Sequence, residues 1–324
     1  MSGPAPAPRK LLIIADFAAL YVIWGSTYLG ILLAIESMPP LLMAGVRFFL
    51  AGVIMYAIAL WQGAPKSSFA EWRTALIVGG CLLFFGNGSV TVAEQWVPSG
   101  LASLIVATVP IYIAILAWLT GSAPRPRPLV MLGLAAGFVG VGILFGPAIV
   151  APPAGGSNHA GLGMLILLFG SLMWSVGSLY SLRAPNSRSP FLSSAQTMLC
   201  GGGLMIIASL VRGEARDFHL SQVTAVSLGA FIYLVLIGAV VGYTSFIFLL
   251  RHCDPSKVAT YAYVNPVVAV LLGACFAGET LSLRTAVAAA VIVGSVALVI
   301  TAQQAKEKMP LLSRPQLHKR SESS

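Results

Sequence analysis

The two halves of this chain echo each other, and each half contains five apolar segments. Pro98-Ser99-Gly100-Leu101-Ala102-Ser103 is matched by Pro255-Ser256-Lys257-Val258-Ala259-Thr260, and Val109-Pro110-Ile111 by Asn265-Pro266-Val267. Earlier in each half, Trp24-Gly25-Ser26-Thr27-Tyr28 faces Trp174-Ser175-Val176-Gly177-Ser178-Leu179-Tyr180. Because five is odd, a second copy must enter a membrane from the side opposite to the first. Inverted repeats of this kind build alternating-access carriers whose solute site lies near the midplane, between the copies.

A membrane is demanded by composition. Of 324 residues 57% are hydrophobic and only 9% charged, against roughly 25% charged in soluble domains. Mean hydropathy is +0.89. Crossing ~30 Å of hydrocarbon as a helix takes about 20 apolar residues, and such runs lie near 11–34, 40–61, 74–95, 99–120, 128–147, 161–182, 191–211, 226–249, 257–278 and 283–302. The fold class expected is all-α and polytopic, ten transmembrane helices in two inverted five-helix repeats. The first run is too long for the apolar core of a signal peptide and carries Asp16, so it reads as a retained helix.

Net charge is +9, yet its distribution points away from nucleic acid. With the N-terminus inside, fifteen of the nineteen Lys and Arg fall in cytoplasmic segments, only Arg212, Arg216 and Arg284 fall outside, and Arg47 lies within a span. This positive-inside asymmetry predicts a multi-pass inner (plasma) membrane protein with both termini in the cytoplasm. Cys81, Cys200, Cys253 and Cys275 lie in spans or a cytoplasmic loop, so no disulfide is expected.

The organisation expected is a first repeat at 1–147, an external linker at 148–160 rich in Pro and Gly, a second repeat at 161–302 and a disordered basic tail at 303–324. Gly133, Gly137, Gly140 and Gly146, with Ala286, Ala290 and Gly294 in the second half, form small-residue stripes. They suit close helix packing within the chain or a homodimer face.

The run Gly86-Asn87-Gly88-Ser89-Val90-Thr91-Val92-Ala93-Glu94-Gln95-Trp96-Val97-Pro98-Ser99-Gly100-Leu101-Ala102-Ser103, continuing to Pro110, resembles the third and fourth helices of EamA-type permeases of the drug/metabolite transporter superfamily. Ile23-Trp24-Gly25-Ser26-Thr27-Tyr28 and Arg47-Phe48-Phe49-Leu50-Ala51-Gly52 resemble the first two helices, and the likeness runs from Leu11 to Thr301. It implies ten helices and ATP-independent export of small metabolites or toxic compounds. One departure is an acid in Gly278-Glu279-Thr280-Leu281 with none in the matching Gly121-Ser122-Ala123.

The residues support a pathway independently. Asn87, Thr91 and Glu94 share one face of a 3.6-residue period and so line the interior. Their counterparts read as Thr244, Phe248 and Arg251. Glu94 reads as a proton site, a partner for a substrate amine or an interfacial carboxylate. Arg47 needs a partner, either Glu94 or Glu36 in an ion pair or a substrate carboxylate. Trp24, Tyr28 and Trp174 lie well inside their spans, where aromatic rings with a polar edge suit a cavity for organic solutes or simple core packing. Pro110 and Pro266 each remove a backbone hydrogen bond and favour a kink near Tyr112 and near Tyr261 and Asn265.

No Walker A loop, HExxH, GxSxG or metal-ligand spacing is present, so no cofactor or metal is expected and an ion or solute gradient must supply energy. The function expected is a non-enzymatic secondary exporter of small organic metabolites or drug-like compounds by alternating access, with proton coupling as an option. Its partners are the solute and the bilayer. A lipid-modifying membrane enzyme and a passive channel are the alternatives, but His159, His219, His252 and His318 are too scattered for a catalytic cluster.

Overall fold

Backbone N–H and C=O groups have no water to bond in hydrocarbon, which leaves an apolar chain of this kind little choice but helices. The structure, a computed structural model, describes residues 10–121, 125–126, 128–150, 159–187, 189–216, 218–253, 258, 261–279 and 282–307. Among them the helices are α1 Lys10–Ile35, α2 Pro40–Trp61, α3 Phe69–Ala93, α4 Ser99–Leu119, α5 Pro128–Val150, α6 His159–Ser181, α7 Pro190–Arg212, α8 Ala225–Leu249, α9 Tyr261–Phe276 and α10 Leu283–Glu307. There is no strand among the described residues. By length and composition, α1 to α4 and α6 to α8 can cross a membrane. The apolar stretches of the others are shorter, Pro128–Ile143, Val264–Phe276 and Leu283–Leu298. Val53, Leu132, Val139, Leu165, Ile207, Leu236 and Leu271 point outward and exposed, an apolar exterior that only lipid or a partner can cover.

Several boundaries differ from expectation. Helix α3 starts at Phe69 rather than near 74, because Ser68 and Glu71 form a capping box, with the Glu71 N–H donating to Ser68 Oγ at 3.3 Å and the Ser68 N–H to Glu71 Oε2 at 2.7 Å. Helix α5 continues through Pro147 to Val150 and α6 begins at His159, so the expected linker of 148–160 is helical at both ends, and 151–158 lies outside the described residues. Helix α10 continues past 302 to Glu307. Residues 254–257, 259–260, 122–124 and the tail from 308 also lie outside, and with them much of the Pro255 echo.

The odd-numbered helices end, and the even-numbered ones begin, at one end of the bundle, held there by contacts between the halves. Ser227 Oγ donates to the Leu33 carbonyl at 2.7 Å, and the Thr224 N–H donates to Ser37 Oγ at 3.1 Å, tying the end of α1 to the start of α8. Trp96 stacks on His159 with ring centroids 5.4 Å apart, tying the end of α3 to the start of α6. Arg284 donates to the Ile143 carbonyl, tying α10 to α5.

Two carboxylates make the strongest of these ties. Gly213 (φ +76°) ends α7, and the next residue, Glu214, accepts through Oε2 from the N–H groups of Leu41 and Leu42 at 3.0 and 3.1 Å and from Ser209 Oγ at 3.1 Å. Gly278 (φ +65°) follows α9, and Glu279 accepts from the Ser99 N–H (2.6 Å), Ser99 Oγ (2.7 Å) and the Gly100 N–H (3.0 Å). A left-handed glycine stops a helix and turns the chain back. Each carboxylate then satisfies orphan donors and opposes the positive end of a helix from the first half. Gly63 (φ +76°) and Gly121 (φ +66°) occupy the matching places after α2 and α4, followed there by Ala64 and Ser122. The acid is thus present at one end only.

Two glycines of the first small-residue stripe are used within the chain. A Cβ on Gly137 would lie 2.2 Å from Ile111 Cδ1, and one on Gly140 2.7 Å from Ile292 Cγ1, so α5 packs closely on α4 and α10. Replacing Glu279 by alanine should lower the stability of the detergent-solubilised protein by about 1–2 kcal/mol, as for lost caps generally, read as a fall in thermal midpoint, with Glu279→Gln intermediate. An unchanged midpoint in the alanine variant would mean that the clasp adds nothing to stability.

Candidate functional site

The interior of α3 and α8 is not regular α-helix. Gly80–Asn87 and Leu234–Val241 are π-helical, eight residues each, in corresponding parts of the two halves. Such segments misalign the hydrogen-bond ladder and often mark functional sites. Within the first and just beyond the second, a tryptophan from the opposite half closes on a glycine. A Cβ on Gly86 would lie 2.8 Å from Trp174 Cε3, and one on Gly242 2.5 Å from Trp24 Nε1. The residues after the tryptophans behave in parallel: Gly25 lies against the Asn265 carbonyl and Val268 of α9, and Ser175 Oγ donates to the Val109 carbonyl of α4 at 3.2 Å.

These crossings enclose a cavity of about 320 Å³, at the small end of the roughly 300–1,000 Å³ typical of small-molecule sites. Trp24, Tyr28, Arg47, Asn87, Pro110, Trp174, Tyr261, Asn265 and Pro266 all line it, together with Thr27, Phe48, Ser103, Ser171, Ser178 and Tyr243. Trp24 is the hub of an aromatic cluster, with centroids 5.4 Å from Tyr243, 5.2 Å from Phe246 and 5.0 Å from Tyr261, the last pair at 90°. Edge-to-face packing of this kind fixes ring orientation.

The prolines differ in what they do. Helix α4 breaks at Ala107–Thr108 and restarts with Pro110 in its first turn, whereas Pro266 lies inside the continuous α9. Each lacks the N–H that would bond the carbonyl four residues before it, Val106 and Ala262 respectively. Both of those residues line the cavity. Set by its hydrogen-bonding surroundings, the Asn265 amide nitrogen faces the carbonyls of Tyr261 and Tyr21, 3.2 Å from each, so its donors are occupied.

Not every expected residue reaches this space. Tyr112 does not line it; two residues past Pro110 means about 200° around the helix, and its ring meets Phe138 of α5 at 6.3 Å. Thr91 is completely buried with its hydroxyl donating to the Asn87 carbonyl at 3.1 Å, one turn beyond the cavity. Glu94 caps the C-terminal end of α3, also outside the lining. The expected pairing of Arg47 with Glu94 or Glu36 is not formed. Both Glu94 carboxylate oxygens and the Nε and Nη1 atoms of Arg47 are buried without a hydrogen-bond partner, and Glu36 is exposed. Arg47 instead lies over the Phe48 ring, its guanidinium carbon 4.5 Å from the centroid. At 3% exposure an unpaired ion costs several kcal/mol in desolvation, so such groups are kept for a reason other than stability.

Tyr243 escaped the sequence reading by one residue. Thr244 was set against Asn87, but its hydroxyl donates back to the Val240 carbonyl at 2.7 Å. The tryptophan contacts pair Gly86 with Gly242 and therefore Asn87 with Tyr243, both cavity residues. The side chain of Arg251 lies outside the described residues. The tight crossing is testable: Gly242→Ala should displace Trp24, cost about 1–3 kcal/mol as overpacking does, and shift the tryptophan emission. Gly203→Ala, where a Cβ meets nothing within 4 Å, should do neither.

With this geometry in place the likenesses to known proteins can be weighed. The chain matches the EamA-like transporter family twice, over residues 12–146 and 161–301. It is 39% identical over 297 residues to the uncharacterized inner membrane transporter YedA of Escherichia coli (strain K12), covering 90% of this chain and 92% of the relative. The uncharacterized transporter YvbV of Bacillus subtilis (strain 168) is 25% identical, covering 93% and 95%. A probable amino-acid metabolite efflux pump of Salmonella typhimurium is 24% identical, covering 81% and 85%. A solved crystal structure of a protein 19% identical in sequence superposes with a TM-score of 0.60 over 91% of this chain and all of its own, a likeness of fold alone. Two family matches joined across α5 and α6, apolar membrane-length helices and a cavity built from both halves agree: the chain is a multi-pass inner-membrane transporter and belongs to the EamA-like transporter family.

Proposed function

We propose that the chain is a secondary exporter of small organic metabolites that works by alternating access, through ten transmembrane helices in two inverted repeats, 1–147 and 161–302, with both termini in the cytoplasm. The observation that carries this reading is the shared cavity, in which Trp24 of the first half crosses Gly242 of the second and Trp174 crosses Gly86. A site made of both halves changes its access when one half rocks against the other. The relative named as an amino-acid metabolite efflux pump supports a small organic solute and outward flux.

The charge asymmetry of the loops turns the Glu214 and Glu279 clasps toward the outside. Between them and the cavity lies a layer of fully buried side chains, among them Ala34, Ala93, Ala102 and Ile105. In this reading the clasped end is the closed gate, and opening it breaks both caps. Glu94, buried and unpartnered next to that layer, is the proposed proton site.

Reconstituted into proteoliposomes, the protein should give saturable, counterflow-competent flux of at least one solute from a panel of amino acids, nucleobases and organic anions. Unsaturable flux would mean a channel, and none at all would defeat the carrier reading. Glu94→Gln should fold normally and remove the pH dependence of that flux; an unaltered pH profile would exclude Glu94 from coupling.

A further inference from the structure

Three sets of groups in this molecule lack an explanation in the fold: the free carboxylate of Glu94, an apolar groove between α1, α8 and α9, and the polar atoms in the wall of the cavity. The last carries the argument furthest. Arg47 is the one charged residue among the described residues lining the cavity, is 3% exposed, and leaves Nε and Nη1 unbonded. Asn87 lines the same cavity with its Oδ1 buried and likewise unbonded. Among the other wall groups, Ser103, Ser171 and Ser178 donate to carbonyls of their own helices, and the Asn265 nitrogen is occupied.

We infer that the cavity is a receptor for a small organic carboxylate that also carries an N–H or O–H donor and a flat apolar body, with Arg47 as the specificity-determining residue. Nε and Nη1 lie on different edges of the guanidinium fork, each beside Nη2, and either edge is the geometry that takes both oxygens of a carboxylate. Asn87 Oδ1 needs a donor, which the solute's N–H or O–H supplies. Trp24, Tyr28 and Trp174 offer ring faces and edges for the apolar body. A cation would meet a guanidinium that no carboxylate bonds, in a low-dielectric space where like charges repel far more than in water. Amphipathic cations are therefore rejected. This rests on the transport reading only in taking the cavity as the solute site.

The test is binding by the purified full-length protein, followed by tryptophan emission, since Trp24 and Trp174 line the cavity. The probes are matched sets sharing a ring: hippurate, its neutral amide hippuramide and the cation benzylamine, with phenylacetate and 3-phenylpropionate as carboxylates lacking the donor. Hippurate should bind saturably, about tenfold or more tighter than its amide, as expected for a charge-assisted bond, and tighter than the simple carboxylates; benzylamine should not bind. Arg47→Gln should abolish the preference for carboxylate over amide while leaving the thermal midpoint unchanged or raised, since it removes an unpaired charge. Arg47→Lys should retain part of the preference, and Asn87→Leu should remove only the advantage of hippurate over 3-phenylpropionate. Equal binding of acid and amide, binding by none of the carboxylates, or an Arg47→Gln variant that binds like the parent would each overturn the inference. Carboxylate binding without flux in proteoliposomes would defeat the transport reading and leave this one standing; flux of cations or neutral solutes alone would do the reverse.

Discussion

A helix that starts at the edge of hydrocarbon presents N–H groups that neither lipid nor its own first turn can satisfy. In this protein two such ends, those of α2 and α4, are satisfied by carboxylates that arrive from the other half, Glu214 and Glu279. Much else at that end depends on this exchange. Gly213 and Gly278 must take left-handed backbone so that the next residue can turn back, and α4 must begin at Ser99, whose own hydroxyl joins the cap. The matching positions after α2 and α4 hold Ala64 and Ser122, so nearly equivalent halves are joined by inequivalent bonds.

The distribution of satisfied and unsatisfied polar groups sorts structure from work. Serine and threonine hydroxyls through the helices return to carbonyls three or four residues back, which disposes of them cheaply inside an apolar bundle. The clasp carboxylates each accept three hydrogen bonds. Arg47, Asn87 and Glu94 keep buried polar atoms without partners, and native proteins rarely tolerate this except where a ligand, water or proton completes the group. Two of these three face the cavity, and the third lies beyond it, toward the clasped end.

Much of this architecture is legible in the chain because its cause is local. Apolar runs of membrane length dictate helices, and Trp24 with Trp174, or Pro110 with Pro266, reveal the repeat directly. What was misread has identifiable physics behind it. Hydropathy alone started α3 too late, since the Ser68–Glu71 capping box that begins it is polar. The spacing between the Pro98 and Pro255 echoes sets Thr244 against Asn87, whereas the tryptophan contacts of Gly86 and Gly242 set Tyr243 there. Tyr112 was assigned to the cavity by its nearness to Pro110, although residues two apart on a helix point in nearly opposite directions.

Sequence by itself determined that this is a helical membrane protein made of two related halves, with aromatic, proline and buried charged residues in the interior, because helix formation and burial follow from composition and period. Only the tertiary structure decided which of them meet. That Arg47 faces a cavity rather than Glu94 depends on how α2 and α3 pack within the first half, and that Glu279 grips Ser99 across the join depends on how one half is rotated against the other. That rotation is set by glycines small enough to admit a tryptophan from the opposite half. The close approach is a property of both surfaces together, and neither segment's own pattern contains it.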